Sequence, residues 1–272
     1  MHDSESPPIL NNKHHAMPSA FTPENLLREA RRQKAIAAVP VPAVCLLDPD
    51  GDIVRRMQAT GRARKHAGWA CYHTDLHLIE QDGLEVGIVG CAVGASFAVL
   101  VAEELFASGC QLLLSITSSG QITPASTPPY FVLIDRALRD EGTSYHYLPP
   151  SRFSEAPDGL VASLARVFDD FEVPVLQGST WTTDAPFRET SEAIATMRGL
   201  GVMAVEMEAA ALYAFARARG RQVVCFAHVT NQMATVEGDF EKGHADGTTA
   251  ALEIVVRTAR RLHTRTALPL MR

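Results

Sequence analysis

Two carboxylates two residues apart, Glu206 and Glu208 in GVMAVEMEAAALYAFARARG, stand where an almost wholly apolar run changes character. The residues before Glu206 are short and β-like, whereas Ala209 to Ala218 is rich in strong helix formers, is followed by Arg219 and is stopped by Gly220. The pair therefore falls at a strand-to-helix junction. Carboxylates are seldom buried unless paired or hydrogen-bonded, so the pattern has two readings: a helix-start device, or a receptor for something carrying hydroxyls. One carboxylate has two acceptor oxygens that suit two vicinal O–H donors, and charge-assisted bonds are the strong kind. Residues at i and i+2 of a helix point about 200° apart, so the two acids need not serve one ligand.

Other reactive residue types cluster less sharply. SITSSG, from Ser115 to Gly120, puts hydroxyls and a glycine at the end of a continuous apolar run; it offers donors to a ligand or makes a plain turn. GIVGCAVGAS could cradle an anion at a helix start, but its spacing fits neither G-x-G-x-x-G nor G-x-x-x-x-G-K-[ST], and glycines for tight helix–strand packing are the plainer reading. His146 in TSYHY reads as a structural histidine in an alternating strand. His14, His15, His66, His73 and His77 lack metal-ligand spacing, so no metal is expected. Without a G-x-S-x-G elbow a serine hydrolase is unsupported.

The elements that must position these groups alternate in type. Thr22, Pro23 and Glu24 open a first helix. VPVPAVCLLDPDGD gives a short strand and a turn, and Ala70 to Leu78 alternates loosely. LEVGIVG, the glycine turn, a helix from about Ser96 to Gly109 and QLLLSIT make a βαβ unit. A strand near YFVLID, a helix from Gly159 to Phe171, a strand near VPVLQGST, a helix from Ser191 to Met197, the acidic junction, QVVCFAHVT and a helix from about Ala245 to Leu262 complete the chain. The reading is one α/β domain, residues 21–265, with a central mixed β-sheet flanked by helices; residues 1–20, polar and Pro-containing, are expected to be a mobile arm. Ligands of such sheets collect at the carboxyl ends of strands.

Composition sets outer bounds. At 272 residues and 46% hydrophobic the chain can bury a large core, and a net charge of −6 argues against nucleic acid as the main partner. The five cysteines are odd in number and far apart, and read as reduced core residues. No segment has the length of a membrane span or the apolar region of a secretion signal, so no membrane partner and a cytoplasmic location are expected.

The acidic junction resembles the Glu-Met-Glu-(Ala/Ser)-Ala signature of the purine nucleoside and uridine phosphorylase family, which also includes nucleosidases. GIVGCAVGASFAVLVAEELFASGCQLLLSITSSGQI resembles that family's glycine turn, E-E-L helix and Thr/Ser-Gly turn. RDEGTSYHY is similar to its Arg-x-x-Gly-x-Ser-x-His segment, and ADGTTAALEIVVRTARRL to its closing helix. The pieces run in the family's order over residues 43–262.

The resemblance implies a nucleoside phosphorylase-like enzyme that cleaves an N-glycosidic bond to free base and ribose 1-phosphate, with phosphate as co-substrate and no cofactor. Glu208 is the implied ligand of the ribose diol, with Met207 packed against the sugar and Ser118 near it. Asn231 takes the catalytic position where purine enzymes carry an acid, which favours a uridine-like base; Phe187, Gln232 and Asp184 are the base-side candidates. For phosphate the expected groups are Gly94, Ser115 and Ser119, because the family's arginines have no match: Leu47 and Gly51 replace the Gly and Arg of its Gly-Asp-Pro-x-Arg loop, Ser115 replaces a strand arginine, and Tyr72 an arginine lent by a neighbour. Arg55 and Arg56 are possible substitutes. Hydrolysis by water is the runner-up, and a nucleoside-binding protein without catalysis the third reading. Sites completed across an interface imply a homo-oligomer built from dimers, up to a hexamer.

Overall fold

In the computed structural model Thr22 caps the first helix, α1 (Pro23–Lys34), by accepting the Asn25 N–H at 3.3 Å. The structure describes residues 7–233 and 237–263, so the expectations for residues 1–6 and 264–265 lie outside it. β1 (Val44–Asp48) is followed by α2 (Asp52–Ala59), which the sequence reading did not anticipate. Its cause is local: Gly51 turns the chain at φ 76°, Asp52 stands in the first turn, and Ile53, Val54 and Met57 share one buried face. The chain continues through β2 (Arg64–Lys65), β3 (His77–Gln81), β4 (Leu84–Gly90), α3 (Ala95–Ala107), β5 (Leu112–Gln121), β6 (Tyr130–Asp140), β7 (Phe153–Glu155) and α4 (Leu160–Leu164). Then come β8 (Val175–Thr183), α5 (Ser191–Gly199), β9 (Ala204–Glu206), α6 (Ala209–Arg219), β10 (Gln222–Asn231) and α7 (Thr248–His263).

The strands form one mixed ten-stranded sheet, as the alternation of elements predicts. β4, β1, β5 and β10 run parallel, and β4–α3–β5 is the expected crossover, with β1 lying between its two strands. Beyond expectation, part of the sheet closes on itself: β10 pairs both β5 and β6, β6 pairs β8, β8 pairs β9, and β9 returns to β5. Closure carries Glu206, the last residue of β9, to the same region as the ends of β1 and β5.

Period-2 alternation assigns each strand residue a side. Cys45, Leu47, Leu113 and Cys225 pack toward α3 and α6 with Ala98, Leu105, Leu212 and Phe215. Val44, Leu46, Leu114 and Phe226 pack toward α2 and α7 with Ile53, Met57, Leu252 and Val255. Tyr213 pins α6 down: its hydroxyl donates to the Ile134 carbonyl at 2.6 Å and accepts the Cys225 N–H at 3.1 Å.

Three local expectations are corrected. The helix foreseen to Phe171 ends at Leu164, because Asp169 and Asp170 would stand at its negative end, and Arg257 instead holds the Val167 carbonyl and Asp170. His146 lies exposed in a 3-10 turn rather than in a strand, because the Glu141 carboxylate accepts the N–H groups of Thr143 and Ser144 and bends the chain there. Cys91 is exposed, unlike the other four cysteines. Among the described residues no helix is long and apolar enough to cross a membrane.

Candidate active site

Glu206 and Glu208 have separate tasks. The Glu206 carboxylate is buried and filled: one oxygen accepts the hydroxyls of Thr180 at 3.0 Å and Thr182 at 2.5 Å, the other the N–H groups of Glu208 and Ala209, both at 2.7 Å. It satisfies the start of α6 from outside the helix, and Thr182 also accepts the Ala210 N–H at 2.9 Å. Burial raises the Glu206 pKa, and its four donors work against that.

Glu208 stands at the N-cap of α6 and is 1% exposed. Its Oε1 accepts the Gly94 N–H at 2.7 Å, while its Oε2 is buried without a partner. Burial, then the charge of Glu206, pushes its pKa up to about 8, against the opposing pull of the Gly94 N–H and the neighbouring Thr117 hydroxyl. The Gly94 backbone can approach because that residue has φ 89° and nothing near its absent side chain. In the same turn Gly90 packs so closely on α2 that a Cβ would meet Val54 at 2.4 Å, which is the packing role read from the glycine spacing.

Three acids follow one another from the end of β1 through the turn to the start of α2. Asp48 is buried, accepts the Val54 N–H at 2.9 Å, and is pushed up to about 7 by burial. Asp50 accepts the Ser118 N–H at 2.7 Å, and its charge contributes to the raised pKa of Glu208. Asp52 holds both Arg55, at 2.5 Å, and Lys242. Arg55 also donates to the Asp50 carbonyl at 2.7 Å, which places it at this loop, whereas Arg56 lines a separate cleft with Thr60 and Thr248.

Hydroxyls line the end of β5. Ser115 Oγ is buried and unpartnered, and Ser115 lies in register with Leu47 on one side and Cys225 on the other. Ser119 Oγ donates to the Thr117 carbonyl at 3.2 Å. Asn231, at the end of β10, turns its amide to the Ser119 carbonyl at 3.5 Å and the Thr230 hydroxyl at 3.2 Å, and its oxygen accepts the Met233 N–H at 2.9 Å. Met207 is half-buried at the junction.

The structure thus brings Glu208, Gly94, Ser115, Ser118, Ser119 and Asn231 to one end of the sheet. It leaves the base-side candidates facing solvent. Phe187 is 99% exposed in a 3-10 turn, Asp184 is exposed and accepts the Gly142 N–H at 2.8 Å, and Gln232 is exposed with its N–H on Asp239. Sequence reasoning missed Asp50, Thr180 and Thr182. The signal for Asp50 was available in the acidic run DPDGD; the threonines carry none, because only strand pairing sets them opposite Glu206.

The phosphorylase superfamily model matches residues 51–266. A guanosine phosphorylase of Halorubrum lacusprofundi is 25% identical over 167 residues, covering 61% of this chain and 66% of the relative. A DeoD-type purine nucleoside phosphorylase of Colwellia psychrerythraea is 27% identical over 157 residues, covering 57% of this chain and 67% of the relative. The chain spans only about two thirds of the length of these curated relatives. Among solved structures, a uridine phosphorylase of Vibrio fischeri superposes with TM-score 0.65 at 17% identity, covering 84% of this chain and 93% of that one, a likeness of fold.

Proposed function

The chain belongs to the phosphorylase superfamily, and we propose that it cleaves the N-glycosidic bond of a ribonucleoside whose 2′- and 3′-hydroxyls are received by Glu208. The carrying observation is the buried Oε2 of Glu208, unpartnered beside an Oε1 already fixed by Gly94. A lone acceptor of that kind is costly unless an O–H donor fills it. Because the carboxyl is covered, the loops around it must part to admit a sugar. As the C1′–N bond breaks, charge builds on the departing base, C1′ becomes oxocarbenium-like, and an acceptor oxygen attacks it.

The acceptor subsite does not suit a tightly held phosphate. Two N–H groups that an anion could use, those of Gly94 and Ser118, already bind the carboxylates of Glu208 and Asp50. Among the described residues, the two cations bonded at this loop, Arg55 and Lys242, are both held by Asp52. A helix start contributes only about 0.3–1 kcal/mol toward an anion in exposed settings, less than arginine forks supply. Cleavage is therefore expected to need high phosphate or to proceed with water. The test is a nucleoside screen with and without phosphate, scored by free base, followed by initial rate against phosphate and product analysis. Saturation at micromolar phosphate with only ribose 1-phosphate formed would overturn the weak-phosphate reading, and Arg55 would then be the first residue to mutate. Saturable binding without turnover would point instead to a nucleoside-binding protein.

For the base, an amide at Asn231 can hydrogen-bond but cannot protonate a departing purine. Uridine-like nucleosides are expected to give higher kcat/KM than inosine or adenosine at neutral pH. A clear purine preference in the same screen contradicts this and would match the activities for which the curated relatives are named.

A further inference from the structure

A second cluster of reactive groups lies away from this site, and the acidic loop has no part in it. The N-terminal segment folds back over the chain, with Ile9 against Gly142 and His15 Nε2 3.0 Å from the Tyr145 carbonyl. Between this segment, the 144–146 turn and the end of α6 is a cavity of about 360 Å³. Lys13, His14 and His15 enter it from the segment, His146 from the turn and Arg219 from α6. Among the described residues no carboxylate lines it, in a chain whose net charge is −6. Glu103 of α3 accepts from Tyr147 at 3.1 Å and Arg219 at 3.3 Å and so answers one cation of the five groups.

We propose that this cavity is a binding site for a small oxyanion of the phosphate class. Lys13 and Arg219 are brought together here from separate parts of the chain with three imidazoles that can donate N–H bonds, a donor set that an anion shared between them would satisfy. Partial desolvation, then the charges of Lys13 and His15, hold the His146 imidazole below the ordinary range. The groups facing it are Lys13, His14 and His15 of the segment, Tyr145, Tyr147 and Glu141 of its own turn, Arg219 of α6 and, behind that arginine, Glu103. An anion among them raises the His146 pKa and binds more tightly as His146 gains charge at lower pH. α6 is 11 residues long, so the cavity lies about 16 Å along it from Glu208.

The room exceeds one phosphate group, so a free oxyanion and a nucleotide-borne phosphate are tested as separate arms: inorganic phosphate, pyrophosphate and uridine 5′-monophosphate, each titrated calorimetrically into the full chain at pH 6 and pH 8. At least one arm is expected to bind, more tightly at pH 6, and to weaken about tenfold or more both in Lys13→Gln/His15→Gln and in Arg219→Gln. NMR titration is expected to show the His146 pKa rising when that probe is present. The arm that binds best identifies the source. Absence of binding in all three arms, or binding indifferent to both variants with an unmoved His146, overturns the proposal. No readout depends on turnover, so failure of nucleoside cleavage would leave this test intact, and the reverse also holds.

Discussion

Glu208→Gln is expected to lower ribonucleoside kcat/KM by roughly 100-fold or more, while Glu206→Gln costs stability and much less activity. Two charge-assisted bonds from a diol to one carboxylate are worth about 1.5–3 kcal/mol each. The amide keeps one acceptor oxygen and presents a donor where the second hydroxyl must donate. Glu206 has no capacity left for a ligand, since Thr180, Thr182 and the N–H groups of Glu208 and Ala209 fill it. An amide there cannot accept from all four, and the orphaned donor costs about 1–3 kcal/mol, a fall of several degrees in Tm for a domain of this size. The measurement is kcat/KM and thermal unfolding for both variants. Equal, small activity losses would sink the assignment of the diol to Glu208, and an unchanged Tm for Glu206→Gln would remove its capping role.

Ribonucleoside affinity is expected to rise with pH, about tenfold per unit up to the region of pH 8, and to level off above it. The diol needs the ionised carboxyl, yet Glu208 is pushed up to about 8 by burial and by Glu206, so near neutrality most of the ligand-free protein carries a proton there. Binding should release that proton, which calorimetry in two buffers of different ionisation enthalpy measures directly. Flat affinity from pH 6 to 9 with no proton release would contradict the mechanism.

Folding stability should move the opposite way. A carboxyl whose folded pKa is raised holds a proton that the unfolded chain has already given up. Its stabilising contribution is complete below the ordinary carboxyl range and is lost as pH rises toward about 8 for Glu208 and about 7 for Asp48. Glu208→Gln should therefore flatten the fall in Tm between pH 5 and pH 8, even as it removes activity.

Much of this protein was legible from local pattern alone. Alternation of apolar runs with helix-forming stretches specified an α/β chain, Thr22 marked a helix start, continuous apolar strands marked a buried parallel sheet, and the chemistry of paired acids drew attention to Glu206 and Glu208. These are properties of a few neighbouring residues, and backbone geometry translates them directly into elements. Tertiary structure alone decided which acid is filled and which is left open, because the deciding partners come from elsewhere: Thr180 and Thr182 through the β8–β9 pairing, and Gly94 from the loop after β4. It also set Asp50 on the Ser118 N–H, across 68 residues, and left Phe187 in solvent. The physical reason is that periodicity gives a residue's side of a strand, whereas strand order and register across the sheet, with its closure through β10, determine what stands opposite it.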